Sequence, residues 1–345
     1  MKLETRNILV IRLSALGDVA MLIPVLRVFE ATYPEVKITV LSKQFHKPLF
    51  DEFQNVNFFP ADVKGRHKGL VGLYKLSKDL KNHNITAVAD VHNVLRSKVL
   101  GSFLSLNGIK VAKISKGRAE KKALTRAVNK VFKPLKTTVE RYVEVFEKLG
   151  FPLDLSKHQF PNKKEVPAKA IPLIDNTFKH RIGIAPFAAH GGKMYPLELM
   201  EQVIATLDKE KEAQVFLFGG GKQEERLLNE LAEKYDSVTN LAGALSFKEE
   251  LVFVSNLDAM LAMDSGNAHL AAIYDVPTIT IWGVTHPYAG FYPFNQPMEN
   301  ALLADREQFP LIPTSIYGNT FPKGYENAIK TTTPQQILDK LKEVI

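Results

Sequence analysis

A carboxylate that could act as a general base follows the first apolar run of the chain. The run at 7–13 (NILVIRL) is typical of a buried strand. Residues 12–18 (RLSALGD) begin at the last two residues of this run and end with Asp18. Loops at the ends of strands face the ligand in an open α/β sheet, so Asp18 could take a proton from a bound hydroxyl. Asp18 could equally cap the next helix, which would stabilise it by about 1 kcal/mol without any ligand. The spacing alone does not decide between these roles.

A second segment has the pattern of an anion site. Residues 264–269 (DSGNAH) follow the apolar run 258–263 (DAMLAM) and open a predicted helix. Residues 265–267 would place free backbone N–H groups at the helix N-terminus, where phosphate binds well, and His269 could reach the same anion. The alternative is a capped helix with a solvent-exposed histidine. We favour the anion site, because these residue types occur together at a strand–helix junction.

Two glycine loops follow other predicted strands. In residues 188–193 (AAHGGK), two glycines predict a mobile loop that could close on a ligand, and Lys193 could neutralise a diphosphate, although a lone loop lysine is more often solvated. Residues 219–221 (GGG) form the other loop. Gln223 and Glu224 come directly after it, and a side chain there could hydrogen-bond the hydroxyls of a ribose.

A basic region follows one more predicted strand end, at residues 90–97 (DVHNVLRS). Residues 107–136 hold ten Lys+Arg and the single acid Glu120. Apolar residues recur there at helical spacing, which predicts an amphipathic helix with a basic face: Leu124, Ala127, Val128, Val131 and Leu135. Such a helix could lie on an anionic membrane surface or pack as a solvated helix on its own domain. We slightly favour the membrane surface, because the charge excess is concentrated here.

Alternating strands and helices must position these segments. The predicted strands are 7–13, 36–41, 85–90, 181–186, 213–218, 258–263 and 277–282. Helices are predicted at 19–32, 196–208 and 223–234, from Ser246 and Asn267, and from Thr333 to the C-terminus. Ser246 with Glu249, and Thr333 with Gln336, match the capping box. This alternation predicts two α/β domains with parallel sheets, joined by the proline-containing residues 151–180.

Composition and charge limit the classes of function. The length of 345 residues predicts two domains, and the absence of cysteine excludes disulfides, iron–sulfur sites and thiol nucleophiles. We expect no signal peptide and no transmembrane span. Residues 1–175 hold 31 Lys+Arg and 16 Asp+Glu, a net charge of +15, and the remainder a net −7. We therefore expect the two halves to bind different partners, with chance surface variation as the alternative.

The order of these motifs is similar to that of glycosyltransferase family 9, the heptosyltransferases that build the inner core of lipopolysaccharide. The resemblance runs from residues 12–18 through 264–269 to 282–287 (WGVTHP). It implies the GT-B fold, in which two Rossmann-like, doubly wound domains face each other across a cleft.

That fold assigns a role to each part of the chain. The acceptor would bind the N-terminal domain, predicted at 1–165, and the nucleotide sugar would bind the C-terminal domain at 166–330. Residues 331–345 would form a C-terminal helix.

The resemblance also implies roles for single residues. Asp18 resembles the catalytic base, Lys193 resembles the lysine that contacts phosphate, and the ribose-contacting acid aligns with Gln223 or Glu224. The donor-binding candidates are Lys193, Gly219, Gly220, Gln223, Glu224, Leu245, Asp264, Ser265, Gly266 and His269. The acceptor-binding candidates are Ser14, Gly17, His92 and Arg96.

The implied reaction is an inverting transfer of heptose from ADP-heptose to a lipid A–Kdo/heptose acceptor, with no cofactor and no divalent metal. We expect a monomer in the cytoplasm, in peripheral contact with the inner membrane at its cytoplasmic face. A nucleic-acid partner is disfavoured, since Phe132 is the one aromatic residue within 107–136. Two alternatives remain: a GT-B transferase that uses another nucleotide sugar for a surface polysaccharide, and a catalytically silent homologue that binds anionic glycolipid.

Overall fold

The computed structural model describes residues 6–345. Their contacts divide the chain into two units. The first unit contains the chain up to Lys116 together with Thr138–Gln159, and the second contains Gly117–Thr137 and Phe160–Ile345. The N-terminal domain predicted at 1–165 included residues 117–137, which the contacts group with the second unit instead.

Within the described residues, the first unit contains a parallel sheet with strand order β3-β2-β1-β4-β5. Its strands are β1 (Asn7–Ile11), β2 (Lys37–Ser42), β3 (Val56–Pro60), β4 (Ala87–Asp90) and β5 (Lys110–Lys113). Its helices are α1 (Leu16–Ala20), α2 (Ile23–Thr32), α3 (Gly69–Asp79), α4 (Leu95–Ser105) and α6 (Thr138–Lys148). All five residues of β1 are buried, as the continuous apolar run predicts for a central strand covered on both faces. The chain reverses direction across the sheet between β1 and β4, and ligands bind at such a reversal in open α/β sheets.

The helix predicted at 19–32 forms as two helices, α1 and α2. Pro24 lies in the first turn of α2 and has no N–H group to donate to the preceding turn, so α1 cannot continue into α2. The break confines α1 to a single short turn directly after β1. Asp18 is therefore held in that turn, next to the end of the strand.

The amphipathic helix predicted over residues 124–135 is wrong. Helix α5 (Arg118–Thr125) includes only the first two residues of this stretch and ends there, because Arg126 is extended and Asn129 has a left-handed φ of 51°. Lys130 Nζ donates 2.8 Å to the Leu124 carbonyl, which satisfies one of the last acceptors of the helix, and 2.7 Å to the Pro313 carbonyl. Val128 is exposed rather than inward-facing.

Aromatic contacts hold the rest of this segment within the second unit. The Phe132 ring lies 4.9 Å from the Tyr288 ring and 5.0 Å from the His286 ring, and the Arg306 guanidinium lies 3.5 Å from the Phe132 ring centre. The Leu135 N–H donates to the Tyr288 carbonyl. Irregular backbone is thus ordered by its side chains, which helical periodicity cannot predict.

This grouping changes the charge division that the sequence suggested. The first unit holds 21 Lys+Arg and 13 Asp+Glu, whereas the second holds 24 of each. The whole net charge of +8 therefore lies on the first unit, and the second unit is neutral. The difference between the units keeps the predicted sign, but it is smaller than the division at residue 175 indicated.

The second unit contains, within the described residues, a parallel sheet with strand order β11-β10-β9-β6-β7-β8. Its strands are β6 (His180–Ala185), β7 (Ala213–Leu217), β8 (Val238–Asn240), β9 (Ala259–Met263), β10 (Thr278–Trp282) and β11 (Ala301–Leu303). Besides α5, its helices are α7 (Leu197–Glu210), α8 (Lys222–Ala232), α9 (Phe247–Val254), α10 (Gly266–Ala272) and α11 (Pro334–Val344). Strands β9, β6 and β7 are neighbours in this parallel sheet, so the loops that follow them emerge at the same edge.

Both predicted capping boxes form. Ser246 and Glu249 exchange side-chain and backbone hydrogen bonds at the start of α9, and Thr333 and Gln336 do the same for α11. The predicted strands are all present, with ends displaced by at most two residues. No helix among the described residues is long and apolar enough to cross a membrane.

Candidate functional site

Asp18 is held by Arg12 at the carboxyl edge of the first-unit sheet. Arg12 NH2 lies 2.6 Å from Asp18 Oδ2, and the Ala15 N–H donates to the same oxygen at 3.3 Å. Among residues 6–345, Oδ1 of Asp18 has no hydrogen-bond or ion-pair partner, and the side chain is 23% exposed. Asp18 thus makes the predicted capping contact with one oxygen, while the other oxygen remains available to a ligand hydroxyl.

Neighbouring elements fix both members of this pair. Arg12 NH1 donates 2.8 Å to the Val91 carbonyl beyond β4, which ties the loop after β1 to the loop after β4. Tyr142 of α6 is buried, and its hydroxyl donates 3.0 Å to the Asp18 carbonyl. Sequence reasoning assigned no role to Arg12, although it lies in the same motif, and gave no indication of Tyr142.

His92 lies in the same group and is a neutral side chain. Its burial, followed by the charges of Arg12, Lys116 and Arg96, lowers the pKa of His92 from 6.5 to about 4, although Asp18 acts in the opposite direction. The Leu13 N–H points to His92 Nδ1 at 3.5 Å, which places the ring proton on Nε2. A neutral ring with a proton on Nε2 can donate one hydrogen bond to a ligand.

The other acceptor candidates lie around this group. Ser14 and Gly17 are partly exposed in the loop and in α1. Arg96 is exposed in the first turn of α4, and its charge reaches His92. Lys116 is a further cation there that the sequence did not single out. The structure therefore brings together Asp18, His92 and several cations, which suits an anionic molecule with a reactive hydroxyl.

In the second unit, Lys193 pairs with Asp264. Lys193 Nζ lies 2.7 Å from Asp264 Oδ2 and 3.3 Å from the Asp264 carbonyl, and the two side chains are 14% and 5% exposed. Thr285 Oγ1 also donates 3.0 Å to Asp264 Oδ2. Asp264 thus orients the lysine, and the loops after β6, β9 and β10 contribute one residue each. Thr285 was part of the motif at 282–287 but had no predicted role.

The loop that carries Lys193 is packed and hydrogen-bonded, contrary to the mobile loop predicted from its two glycines. The Gly192 N–H donates to the Gly318 carbonyl at 3.1 Å, and the Gly192 carbonyl accepts from the Val284 N–H at 3.0 Å. A Cβ at Gly192 would lie 2.5 Å from a Val284 methyl group. Glycine is required here for close packing, so Lys193 is positioned before any ligand arrives.

Helix α10 begins at Gly266, directly after Ser265, as the sequence predicts, but it is only seven residues long. Ser265 and Gly266 are partly exposed, whereas His269 is buried, so His269 is not the solvent-exposed residue of the alternative interpretation. Within the described residues, Ser265 Oγ is buried and has no hydrogen-bond partner. A buried hydroxyl of this kind needs a polar partner, which a bound ligand can supply.

The glycine loop after β7 is held by its own helix. Glu224 Oε2 accepts the Gly220 N–H at 2.7 Å, and a Cβ at Gly219 would lie 2.8 Å from Leu228. Gln223 is exposed at the same helix start. Leu245 is partly buried and packs against the core of the second unit. Glu224 therefore orders the loop, and the choice between Gln223 and Glu224 for a ribose remains a prediction.

No group of three or more His, Asp or Glu side chains in the part of the chain that the structure describes could hold a metal ion. Whether the reaction needs a metal is a separate question, and the expectation that it needs none stays a prediction.

Known proteins are similar to this chain in sequence and in fold. A sequence model of the family described as glycosyltransferase family 9 (heptosyltransferase) matches residues 73–310, more than half of the 345 residues. The lipopolysaccharide core heptosyltransferase OpsX of Haemophilus influenzae is 26% identical over 290 residues, which cover 82% of this chain and 80% of that protein.

Solved structures show the same fold. The glycosyl transferase family 9 protein from Veillonella parvula DSM 2008 superposes with a TM-score of 0.75 at 17% identity, covering 100% of this chain and 98% of that one. The E. coli heptosyltransferase WaaC with ADP gives a TM-score of 0.67 at 18% identity, covering 98% and 100%. The GT-B fold predicted from the sequence is confirmed.

Proposed function

This chain belongs to glycosyltransferase family 9, and from that membership we propose that it is an inverting heptosyltransferase of lipopolysaccharide synthesis. The donor is ADP-heptose, and the acceptor is the anionic inner core, a lipid A–Kdo/heptose molecule. The name of the Haemophilus relative, a lipopolysaccharide core heptosyltransferase, supports the choice of acceptor. The WaaC structure, which is described with ADP, supports the choice of an ADP-linked donor. The observation that carries the proposal is the Asp18 carboxylate, with one oxygen held by Arg12 and the other open.

In the proposed reaction, Asp18 Oδ1 accepts the proton of an acceptor hydroxyl. The hydroxyl oxygen forms a bond to the anomeric carbon as the bond from that carbon to the diphosphate oxygen breaks, so ADP leaves with the bonding electron pair. Attack opposite the leaving group inverts the anomeric configuration. The His92 Nε2–H orients the acceptor, Ser14 and Gly17 line its site, and Arg96 offsets its negative charge.

The donor binds the second unit in this proposal. Lys193 provides the positive charge that stabilises the departing diphosphate, together with the first backbone N–H groups of α10 at Ser265 and Gly266, so no divalent metal is needed. Asp264 holds Lys193 in place, and the Ser265 hydroxyl gains the partner that it lacks. The remaining donor contacts are assigned to Gly219, Gly220, Gln223, Glu224, Leu245 and His269.

Calorimetry and a transfer assay test this function. We expect the purified chain to bind ADP and ADP-heptose in preference to UDP-sugars, and to release ADP when a lipid A–Kdo acceptor is added. The product linkage, determined by NMR, should have the inverted anomeric configuration, and chelators should leave the rate unchanged. Preference for another nucleotide sugar would indicate a different transferase, and no nucleotide binding at all would indicate a silent homologue. Either outcome contradicts the proposal.

We place the membrane contact of this enzyme on α3 rather than on residues 107–136. Leu70 and Val71 are 67% and 70% exposed, and Tyr74 lies on the same face. Lys78, eight residues after Leu70, lies on this face of the helix too. The opposite face of α3 is buried in the first unit. An exposed apolar stripe of this kind marks an interaction surface.

The charge around this stripe suits an anionic bilayer. The nearby acid Asp79 is paired with Arg66 at 2.8 Å and with His67, so it does not offset the other cations. Among the described residues, no ion pair forms at four lysines beside the stripe: Lys64, Lys68, Lys75 and Lys78. A lysine near an anionic surface contributes about 1 kcal/mol to binding, and a buried leucine or valine about 1.5–3 kcal/mol.

Vesicle sedimentation tests this surface. We expect the chain to bind vesicles containing phosphatidylglycerol but not vesicles of phosphatidylcholine alone, and the double variant Leu70→Ser/Val71→Ser to bind at least about tenfold more weakly. Ile171, which is 59% exposed in the second unit, provides the matched control Ile171→Ser. Equal binding by the double variant and the control would show that the membrane contact lies elsewhere.

A further inference from the structure

The aliphatic stem of Lys193 lies directly over Gly318. A Cβ built on Gly318 would stand 2.6 Å from Lys193 Cγ and 3.4 Å from Cδ and Cε. Gly318 also has a left-handed φ of 71°, which side-chain-bearing residues rarely adopt. We propose that Gly318 is a positioning residue for the donor site: its missing side chain leaves the channel along which Lys193 reaches Asp264.

A local turn places Gly318 against this lysine. Ser315 Oγ accepts the N–H groups of Tyr317 at 3.3 Å and Gly318 at 3.0 Å, which closes the turn. The Gly318 carbonyl then accepts the Gly192 N–H at 3.1 Å. The turn is therefore joined to the loop that carries Lys193 by a backbone hydrogen bond as well as by contact with the lysine stem.

The position of the ammonium group depends on this contact. Lys193 Nζ reaches Asp264 Oδ2 at 2.7 Å while its stem is confined on the Gly318 side. A methyl group at Gly318 would meet Cγ, which is close to the backbone and cannot move away as the flexible end of the side chain could. The stem would have to adopt another rotamer, and Nζ would move away from the place where a diphosphate would meet it.

Residues 315–318 lie outside residues 73–310, the part of the chain that the family model matches. The inference rests on the proposed role of Lys193 in binding the donor diphosphate, and it extends the donor site to a segment near the C-terminus. No motif in the sequence points to Gly318, because its role comes from contact with a residue 125 positions earlier in the chain.

Calorimetric binding of ADP to the full chain tests the inference. We expect Gly318→Ala to weaken ADP binding by about 10- to 100-fold, the range for loss of one hydrogen bond to a charged group. Gly324 is the matched control: it has a left-handed φ of 91°, but a Cβ there would meet nothing within 4 Å. Gly324→Ala should therefore impose a similar backbone strain and leave ADP affinity within about twofold of the unchanged chain.

A double-mutant cycle separates positioning from general damage. With Lys193→Ala the stem is absent, so adding Gly318→Ala should cause no further loss of ADP affinity. Ser315→Ala, which loosens the turn without adding a side chain, should weaken binding modestly in the unchanged chain and not at all with Lys193→Ala. It also provides a test if Gly318→Ala fails to fold.

Each contrary result has a distinct meaning. If Lys193→Ala leaves ADP affinity unchanged, the proposed donor role of the lysine is wrong, and the inference that depends on it is wrong too. If Lys193→Ala weakens binding but Gly318→Ala and Ser315→Ala do not, the donor role stands and Gly318 is not a positioning residue. Equal losses from Gly318→Ala with and without Lys193 would also overturn the inference, because the glycine would then act independently of the lysine.

Discussion

Replacing Asp18 with asparagine is expected to lower turnover by about two to four orders of magnitude, the usual contribution of a general base. Asparagine has nearly the same shape, and its carbonyl oxygen can still accept the Ala15 N–H and face Arg12. The substitution therefore keeps the capping contact at the start of α1 and removes the capacity to accept a proton. Steady-state kinetics with ADP-heptose and acceptor, together with calorimetric binding of ADP, measure both properties.

The two roles that the sequence left open for Asp18 predict different outcomes. If Asp18 is a base, Asp18→Asn is inactive but folded, binds ADP normally, and Asp18→Glu recovers part of the turnover because it restores a carboxylate. If Asp18 only caps α1, Asp18→Asn retains near-normal turnover, and that result would refute the proposed mechanism. Thermal unfolding provides the control: Asp18→Asn loses the ion pair to Arg12, so its melting temperature should fall, whereas Asp18→Glu keeps a carboxylate that can pair with Arg12.

The second large effect is expected at Lys193. Lys193→Met keeps most of the aliphatic stem over Gly318 but removes the charge, and we expect it to lower kcat by about 10²–10³-fold, the cost of removing one donor to a developing negative charge. The same change leaves the Asp264 carboxylate, which is 5% exposed, without its cation. Breaking a buried pair in this way costs about 3–5 kcal/mol of folding free energy, so the melting temperature should also fall.

A compensating variant distinguishes these two consequences. In Lys193→Met/Asp264→Asn neither side chain is charged, and the asparagine oxygen can still accept from Thr285. We expect the double variant to recover much of the lost thermal stability but none of the lost turnover or ADP affinity. If activity returned together with stability, Lys193 would serve folding only, and the diphosphate would have to be stabilised by other groups.

The fold was largely predictable because it depends on local patterns. Continuous apolar runs such as β1 and β9 are long enough for buried parallel strands, and the capping box at Ser246 sets a helix start through residues three positions apart. The same local logic failed for residues 124–135. There the helical spacing of apolar residues was overruled by contacts of Lys130 and Phe132 with residues far along the chain.

The residues of the candidate sites could likewise be predicted only in part. The types of residue were evident in the sequence, since a carboxylate follows a strand end in the first unit, and a lysine and glycine-rich loops follow strand ends in the second. Within each sheet, parallel strands bring their carboxyl ends to one edge. Their partners were not evident. Lys193 and Asp264 are 71 residues apart in the sequence, and the fold brings Lys193 Nζ within 2.7 Å of Asp264 Oδ2.

The sequence by itself therefore determined the fold class and the family, and it singled out Asp18 and Lys193 as candidates for the chemistry. These follow from periodicity and from motifs whose members are close in the chain. Only the tertiary structure decided that Arg12 leaves one oxygen of Asp18 open, that Asp264 and Gly318 direct Lys193, and that residues 117–137 belong with the second unit. Each of these depends on distances between residues that are remote in sequence, and a linear pattern carries no such distances.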